Sequence, residues 1–499
     1  MAKRKEKFVK ETEYNLSKFA EIVGSENSLD DSVTLEKYSS DLSFTPAVTP
    51  DLVVKPQNAE QVQRIIQFAN LEKIPLIPCS SRPPRFRGDT IPTKGGVIVD
   101  LSEMKQIIRL DKRNKVALIE PGVTFGELRA EAEKQGLKVL LPFLPRSTKS
   151  IIGSYLEREP ILIPKYHWDM TDPLLCTEVV FGSGDLFRTG SAAGPGTLEE
   201  QWATGQAQKN PMGPAQTDFV RIIQGAQGTM GIVTWASVKL ELLPKIQKTF
   251  FVCDQTLDKL IDFTYKILRP KLPDECLILN NFNLASILKE KSDEIKKLAS
   301  ELPLWILFYS IAGYEYLPEK RVEYIEKDIE DIANQLGVQP TISVSGITAE
   351  KVLEILSKPS EEPYWKLRHK GRCVDLFFLT TLDKVQGFNK IIRDEAEKYK
   401  YPQEEIGFYI QPIQHGRSCN CEFNFFYDPG DSKEIEKIKD LYIRAAEAVL
   451  KNGAFFSRPY DQLTTMVYDK CEDNVVTTLK KVKQMLDPNG IMNPGRLCF

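Results

Sequence analysis

The sequence predicts an α+β protein built from more than one folded unit, and three observations carry that reading. The chain has 499 residues, too many for a single core. Up to residue 136 strands and helices mix without strict β-α-β alternation, and no G-x-G-x-x-G motif follows a strand, which argues against a Rossmann fold. From 249 to 450 β-rich runs alternate with amphipathic helices, the pattern of a second α+β unit with a largely antiparallel sheet.

Taken in order, residues 1–45 read as a polar, helical lead-in. The stretch 46–56 is extended, with prolines bracketing the apolar run Leu52-Val53-Val54. Asn58 and Gln61 form a capping-box pattern, and Val62, Ile65, Ile66 and Ala69 recur on one face of the helix that follows. A strand over 74–78 runs into a loop, and the β-branched run Val97-Ile98-Val99-Asp100-Leu101 leaves it. Residues 107–110 and 116–120 are short strands, and Thr124 with Glu127 caps a helix that stops at Gly136. A hairpin turns around Gly182-Ser183-Gly184, then come a long loop over 191–210 and a short helix over 218–224. Gly225, Gly228 and Gly231 imply close backbone approach to something. Further strands are expected at 250–253, 304–312, 375–382, 407–414 and 420–427, and long helices with charged faces at 317–336 and 432–451.

Composition narrows the partners. A net charge of −3 gives no reason to expect nucleic acid or an anionic membrane. No run of 18 apolar residues occurs, so no spanning helix is expected. The basic start, Met1 to Lys7, is not followed by an apolar signal core, and the nine cysteines are odd in number and scattered. Both features point to a reducing, cytoplasmic setting. Cys419 and Cys421 share one face of a strand, but no second pair completes a metal ligand set, so they read as small buried residues.

The loop Pro78-Cys79-Ser80-Ser81-Arg82-Pro83-Pro84-Arg85-Phe86-Arg87-Gly88-Asp89-Thr90 is the first chemical candidate. Hydroxyls, guanidinium groups and backbone N–H groups of this kind converge on diphosphates; the alternative is a solvent-exposed turn. The second candidate is the strand 420–427. Cys419, Cys421, Phe423 and Phe425 fall on one face, and Asn420, Glu422, Asn424 and Phe426 on the other. The polar face suits a substrate cavity, or else faces solvent.

Several stretches, in the same order, resemble the vanillyl-alcohol oxidase / p-cresol methylhydroxylase superfamily, whose FAD-binding domain is of the PCMH type. They are Pro50-Asp51-Leu52-Val53-Val54-Lys55-Pro56, Asn58-Ala59-Glu60-Gln61-Val62, Val116-Ala117-Leu118-Ile119-Glu120-Pro121-Gly122 and Ser150-Ile151-Ile152-Gly153-Ser154-Tyr155-Leu156-Glu157-Arg158. Tyr166-His167-Trp168, Asp185-Leu186-Phe187-Arg188-Thr189-Gly190, Gly228-Thr229-Met230-Gly231-Ile232-Val233-Thr234 and Asp487-Pro488-Asn489-Gly490-Ile491-Met492-Asn493-Pro494-Gly495 continue it. The resemblance covers most of 46–244 and 456–499. It implies an FAD-binding domain of two α+β subdomains (46–244), a cap or substrate domain (245–455) and a C-terminal segment (456–499) that returns to the FAD domain.

It also implies site residues. The FAD cradle would draw on Ser80, Ser81, Arg82, Arg87, Gly88, Asp89 and Thr90, on Ile152, Gly153, Ser154 and Arg158, and on Gly231, Ile232 and Val233. The sequence departs from the family where Pro83-Pro84 replaces glycines that supply N–H donors, and where Glu159-Pro160 follows Glu157-Arg158. Carboxylates there need an offsetting cation, Arg158 or Lys149. The loop has no histidine, so FAD is expected to be held non-covalently. Arg458 and Tyr460 stand where relatives carry a Tyr-Arg pair beside the substrate oxygen; Arg458 could instead close a domain interface. His415 and Glu422 complete the catalytic candidates, and with no second histidine beside them no metal is expected. His167 reads either as a neighbour of the flavin or as a structural histidine, and His369, in a basic run, as a surface residue.

The function that follows is an FAD-dependent dehydrogenase acting on a small-molecule alcohol, hydroxy acid or activated C–H, passing electrons to a protein partner within an oligomer. Direct oxidation by O₂ stays open. So does a different class: a flavin-poor subunit of the same fold, serving as structural partner to a paralogous active subunit.

Overall fold

The computed structural model describes residues 17–166, 172–214 and 218–499. His167 and Trp168 therefore lie outside the described residues.

The small first sheet is parallel at its centre. Leu52–Val54, Val97–Asp100 and Leu76–Cys79 run side by side, with Ser28–Leu29 antiparallel at one edge. These strands are nearly all buried, which explains why they read as continuous apolar runs without alternation. Helix Ala59–Glu72 covers the sheet with Val62, Ile65, Ile66 and Ala69, all fully buried. Asn58 Oδ1 accepts the Gln61 N–H at 2.9 Å as the capping pattern predicts, while the Gln61 side chain reaches the Gln57 N–H instead of closing the box.

The second sheet is antiparallel and built on the long strand Gly231–Leu242. Val116–Ile119 and Leu174–Phe181 flank it, Ile107–Asp111 and Leu186–Arg188 are the outer strands, and Leu137–Val139 pairs with its far end. Thr124 and Glu127 form the full capping box of helix Phe125–Lys134. The third sheet has the order Ile246–Asp254, Trp305–Gly313, Cys276–Asn280, Gly407–Ile413, Ser418–Tyr427, Arg372–Thr380, antiparallel throughout. Helices Leu257–Leu268, Pro318–Leu336, Val385–Lys398 and Ser432–Lys451 pack their apolar stripes against its one face. The α+β class stands, and the sheet over 246–427 is antiparallel as expected of the second unit.

Three local expectations are corrected. The loop predicted over 191–210 contains the helix Leu198–Ala203, started by a Thr197–Glu200 capping box. The strand Cys276–Asn280 was not expected, because its five residues give too short an apolar run to separate from the helix that follows at Asn281. His369 is buried rather than on the surface: its Nδ1 is 2.9 Å from Ser292 Oγ, its Nε2 3.3 Å from Glu405 Oε2, and it meets Phe282 and Phe426 edge-on. The basic run misled because Lys366 and Lys370 point to buried or half-buried carboxylates, not to water.

The chain's last turn threads back to the first sheet. Leu76 N–H donates to Ile491 O at 2.8 Å, Asn493 N–H to Leu76 O at 2.8 Å, and Thr93 Oγ1 to Pro494 O at 2.6 Å. Asp487 holds this segment by accepting the N–H groups of Ile491 and Met492 and pairing with Lys483. Among the described residues no helix is long and apolar enough to cross a membrane.

Candidate active site

A cleft of about 220 Å³ runs between the first two sheets and opens on the third. One wall is the loop after Leu76–Cys79, contributing Ser80, Ser81, Arg87, Asp89 and Thr90. The helix Ile151–Leu156 contributes Ile152 and Gly153, and the start of the long strand contributes Gly231, Ile232 and Val233. Ser81 Oγ accepts the Ser150 N–H at 3.2 Å, which ties the loop to this helix. Ser80 Oγ lies so close to Gly153 that a Cβ there would come within 3.1 Å of it. Gly228 is tight for another reason: a Cβ would sit 2.4 Å from Pro78 Cγ, so that glycine accommodates the opposite wall.

The third sheet supplies the far end. Strand Arg372–Thr380 presents Asp375, Phe377 and Leu379 on one face, opposite Asn424, Glu422 and Asn420. Gly407, Tyr409 and Gln411 of the next strand continue these three rows. The predicted division of 420–427 therefore holds: the cysteine–phenylalanine face is fully buried, and Glu422 on the other lines the cleft with Asp375 and Tyr409.

This end is a buried charge network. Lys366 Nζ lies 2.7 Å from Asp375 Oδ2 and 2.5 Å from Glu422 Oε1. Asn424 Nδ2 donates to Asp375 Oδ1 at 2.7 Å and to Glu422 Oε1 at 2.9 Å. Arg87 adds a 3.5 Å pair with Asp375 and lies 4.6 Å above the Phe377 ring. Burial alone would neutralise Lys366, but the two carboxylates override it and hold the ammonium well above its usual range. Asp375 is likewise held below the ordinary carboxylate range, Lys366 and Arg87 outweighing its burial.

Arg458 is buried, with its guanidinium carbon 4.3 Å from the Phe377 ring centre and Nη2 3.4 Å from Asn420 Oδ1. Its Nε has no hydrogen-bond partner among the described residues. Tyr460 lines the same end, 5.7 Å beneath Arg87, and burial keeps its phenol protonated. Along the cleft between the two ends, Lys149 Nζ bridges Glu157 at 3.0 Å and Glu159 at 2.6 Å, so Lys149 supplies the offset that the sequence required. Despite its burial Glu159 is pulled down to about 2 by Lys149 and the Ser154 hydroxyl.

Five predicted residues do not line the cleft. Arg82 pairs outward with Glu127 at 3.2 Å. Gly88 is one step behind the wall, its N–H donating to Asp41 Oδ2 at 2.7 Å. Ser154 donates to Glu159 at 2.5 Å, and Arg158 to Gln224 O at 2.9 Å. His415 has left-handed backbone, donates its N–H to Pro164 O at 2.9 Å and is depressed by burial and by Lys271, Lys165 and Arg417. Conversely, Lys366, Asp375, Tyr364 and Arg146 line the cleft unpredicted. Asp375 had a readable signal, a carboxylate within an apolar strand run; Lys366 and Arg146 come from irregular segments and had none.

The residues present fit FAD on two observations. Two buried polar atoms without partners among the described residues, the Thr90 hydroxyl and Arg458 Nε, belong to residues that line the cleft. Leu101, Ile152, Met230 and Ile232 give the middle of the cleft apolar walls. The carboxylates at Asp89, Glu157 and Glu159 are the feature that works against an anion, and two of the three are offset by Lys149.

Comparison with known proteins agrees. Residues 50–190 match the FAD binding domain family, and residues 243–497 match the C-terminal domain of FAD linked oxidases. The chain is 30% identical over 526 residues to the 4-cresol dehydrogenase [hydroxylating] flavoprotein subunit of Pseudomonas putida, covering 98% of this chain and 96% of that one. It is 24% identical over 485 residues to glycolate oxidase subunit GlcD of Bacillus subtilis, covering 96% and 95%. In fold it is similar to the crystal structure of p-cresol methylhydroxylase with substrate bound, with a TM-score of 0.83 at 19% identity over 97% of this chain and 96% of that one.

Proposed function

Because the chain belongs to the FAD-linked oxidases, we propose that it is a dehydrogenase that anchors an anionic substrate oxygen at Arg458 and delivers a neighbouring carbon to FAD. The observation that carries this reading is the buried Arg458 Nε left without a partner on the cleft. A buried guanidinium N–H with no acceptor is costly, and a carboxylate or phenolate oxygen would satisfy it. When bound, FAD accepts a hydride from the substrate carbon. The chain's own residues bind and orient: Tyr409 offers flat apolar surface, and Tyr460 offers a protonated phenol. Glu422 is the proton acceptor, since Lys366 and Asn424 both occupy Oε1 and leave Oε2 without a partner among the described residues.

The substrate is an alcohol, a hydroxy acid or an activated C–H compound, and the electrons go on to a protein partner or paralogous subunit. The similarity to proteins named for 4-cresol and for glycolate supports both ends of that range. Mixing the FAD-loaded chain anaerobically with 4-alkylphenols and with short 2-hydroxy acids should bleach the flavin band with one class. Bleaching by neither class would remove the proposal. The flavin-poor reading draws on Pro83-Pro84 and the cleft carboxylates; a folded preparation that takes up no FAD would establish it in place of the first.

A further inference from the structure

Asp89 lines the cleft beside Thr90, and its carboxylate has no hydrogen bond and no ion pair among the described residues. Half-buried in the cleft wall, this carboxylate has neither full hydration nor a protein partner to offset its charge. Its surroundings explain why it cannot easily be charged. From the segment between Ser28–Leu29 and Leu52–Val54 comes Asp41, whose carboxylate is engaged by the Gly88 N–H and the Ser43 hydroxyl. From the end of the helix Ile151–Leu156 comes Glu157, held by Lys149. From the C-terminal segment come Tyr460, Asp461 and Arg496. Among the described residues Arg496 is in no carboxylate pair, and it is shared among the fields of Asp89, Asp461 and Asp41; Arg85, on the loop of Asp89, is turned to Cys79 Sγ and Lys37 O. On Asp89's own loop, Arg87 is paired with Asp375, and Cys79 feels the Asp89 charge from the strand end.

We propose that Asp89 binds the FAD diphosphate as a neutral carboxylic acid, donating its O–H to a phosphate oxygen, so that loading the cofactor takes up one proton from solvent. This rests on the reading of the cleft as the FAD site. Burial, Glu157 and Asp41 already push Asp89 up to about 7 without any ligand. A diphosphate adds negative charge to the same cleft and drives the group further towards its protonated form. The partnerless Thr90 hydroxyl, next in the chain, gives the same phosphate a second donor. In this chain, where Pro83-Pro84 removes two backbone donors from the loop, a protonated side chain supplies one in their place.

The test is the affinity of the full, flavin-stripped chain for FAD, read by quenching of FAD fluorescence between pH 6 and pH 9. The wild type should bind about tenfold more weakly for each pH unit above about 7. Asp89→Asn keeps a neutral donor in the same place, and should bind as the wild type does at pH 6, with no dependence on pH. Mixing FAD with wild type in weak buffer at pH 8, with an indicator dye present, should consume close to one proton per FAD bound. Binding that is tight but independent of pH, or Asp89→Asn retaining the wild-type slope, would overturn the role of Asp89 and leave the FAD site standing. No quenching at any pH in a folded chain would overturn the site itself and the proposal with it.

Discussion

Lys366 and Asp375 form an ion pair of 2.7 Å with both side chains more than nine-tenths buried, and Glu422 shares the same ammonium. The pair is an intermediate-range contact: a short 3₁₀ turn at Trp365–Leu367 swings the lysine over the strand Arg372–Thr380. Lys366→Met leaves two carboxylates to Arg87, Asn424 and the Cys373 thiol. It should cost about 3–5 kcal/mol of stability, measured by urea unfolding at pH 7. The double variant Lys366→Met/Asp375→Asn should recover part of that loss, and a double variant no better than the single one would show that the pair is not coupled.

Arg458→Ala removes the donor proposed to hold the substrate oxygen. Turnover should fall by about 10²–10³-fold, while the flavin-to-protein absorbance ratio stays unchanged. Unaltered kcat/KM would take Arg458 out of the site.

Gly88 sits at φ +74°, and a Cβ there would lie 1.9 Å from Thr45 Oγ1. Gly88→Val should therefore cost about 1–3 kcal/mol through left-handed strain and loosen the loop that carries Arg87, Asp89 and Thr90. Flavin retained through gel filtration should drop, and normal occupancy would show that the loop does not govern FAD binding.

Glu159 gives a pH signature. Its carboxyl is depressed to about 2 in the fold, so its contribution to stability is fully present above its unfolded value of 4.5 and fades as pH falls towards 2. Lys149→Met removes the main cause. Wild type and Lys149→Met should differ in urea midpoint clearly at pH 7 and much less at pH 3; a constant difference across that range would mean that Lys149 acts through packing alone.

Local rules carried much of this fold. The capping residues Asn58 and Thr124, the hairpin at 182–184 and the two-faced strand Ser418–Tyr427 each follow from a periodicity or a hydrogen bond made within a few residues. The site was legible where the chain itself is continuous, as along Ser80 to Thr90. It was illegible where side-chain direction decides. Arg82 and Arg87 are five residues apart in one loop, yet one turns out to Glu127 and the other in to Asp375. Arg158 and Lys149 were equal candidates to offset the glutamates, and only packing around Gln224 separates them.

Asn493 donates from one side-chain nitrogen to Asp89 O at 2.8 Å and Gln227 O at 2.7 Å, pinning the two opposite lips of the cleft with a residue near the chain's last turn. During synthesis the loop at 80–90 is made well before its clasp. The pocket is thus assembled only after about four hundred further residues have been added, and a nascent chain arrested before Asp487 should show both sheets folded and the cleft still gaping. The binding site thereby depends on a residue made long after the loop that it closes.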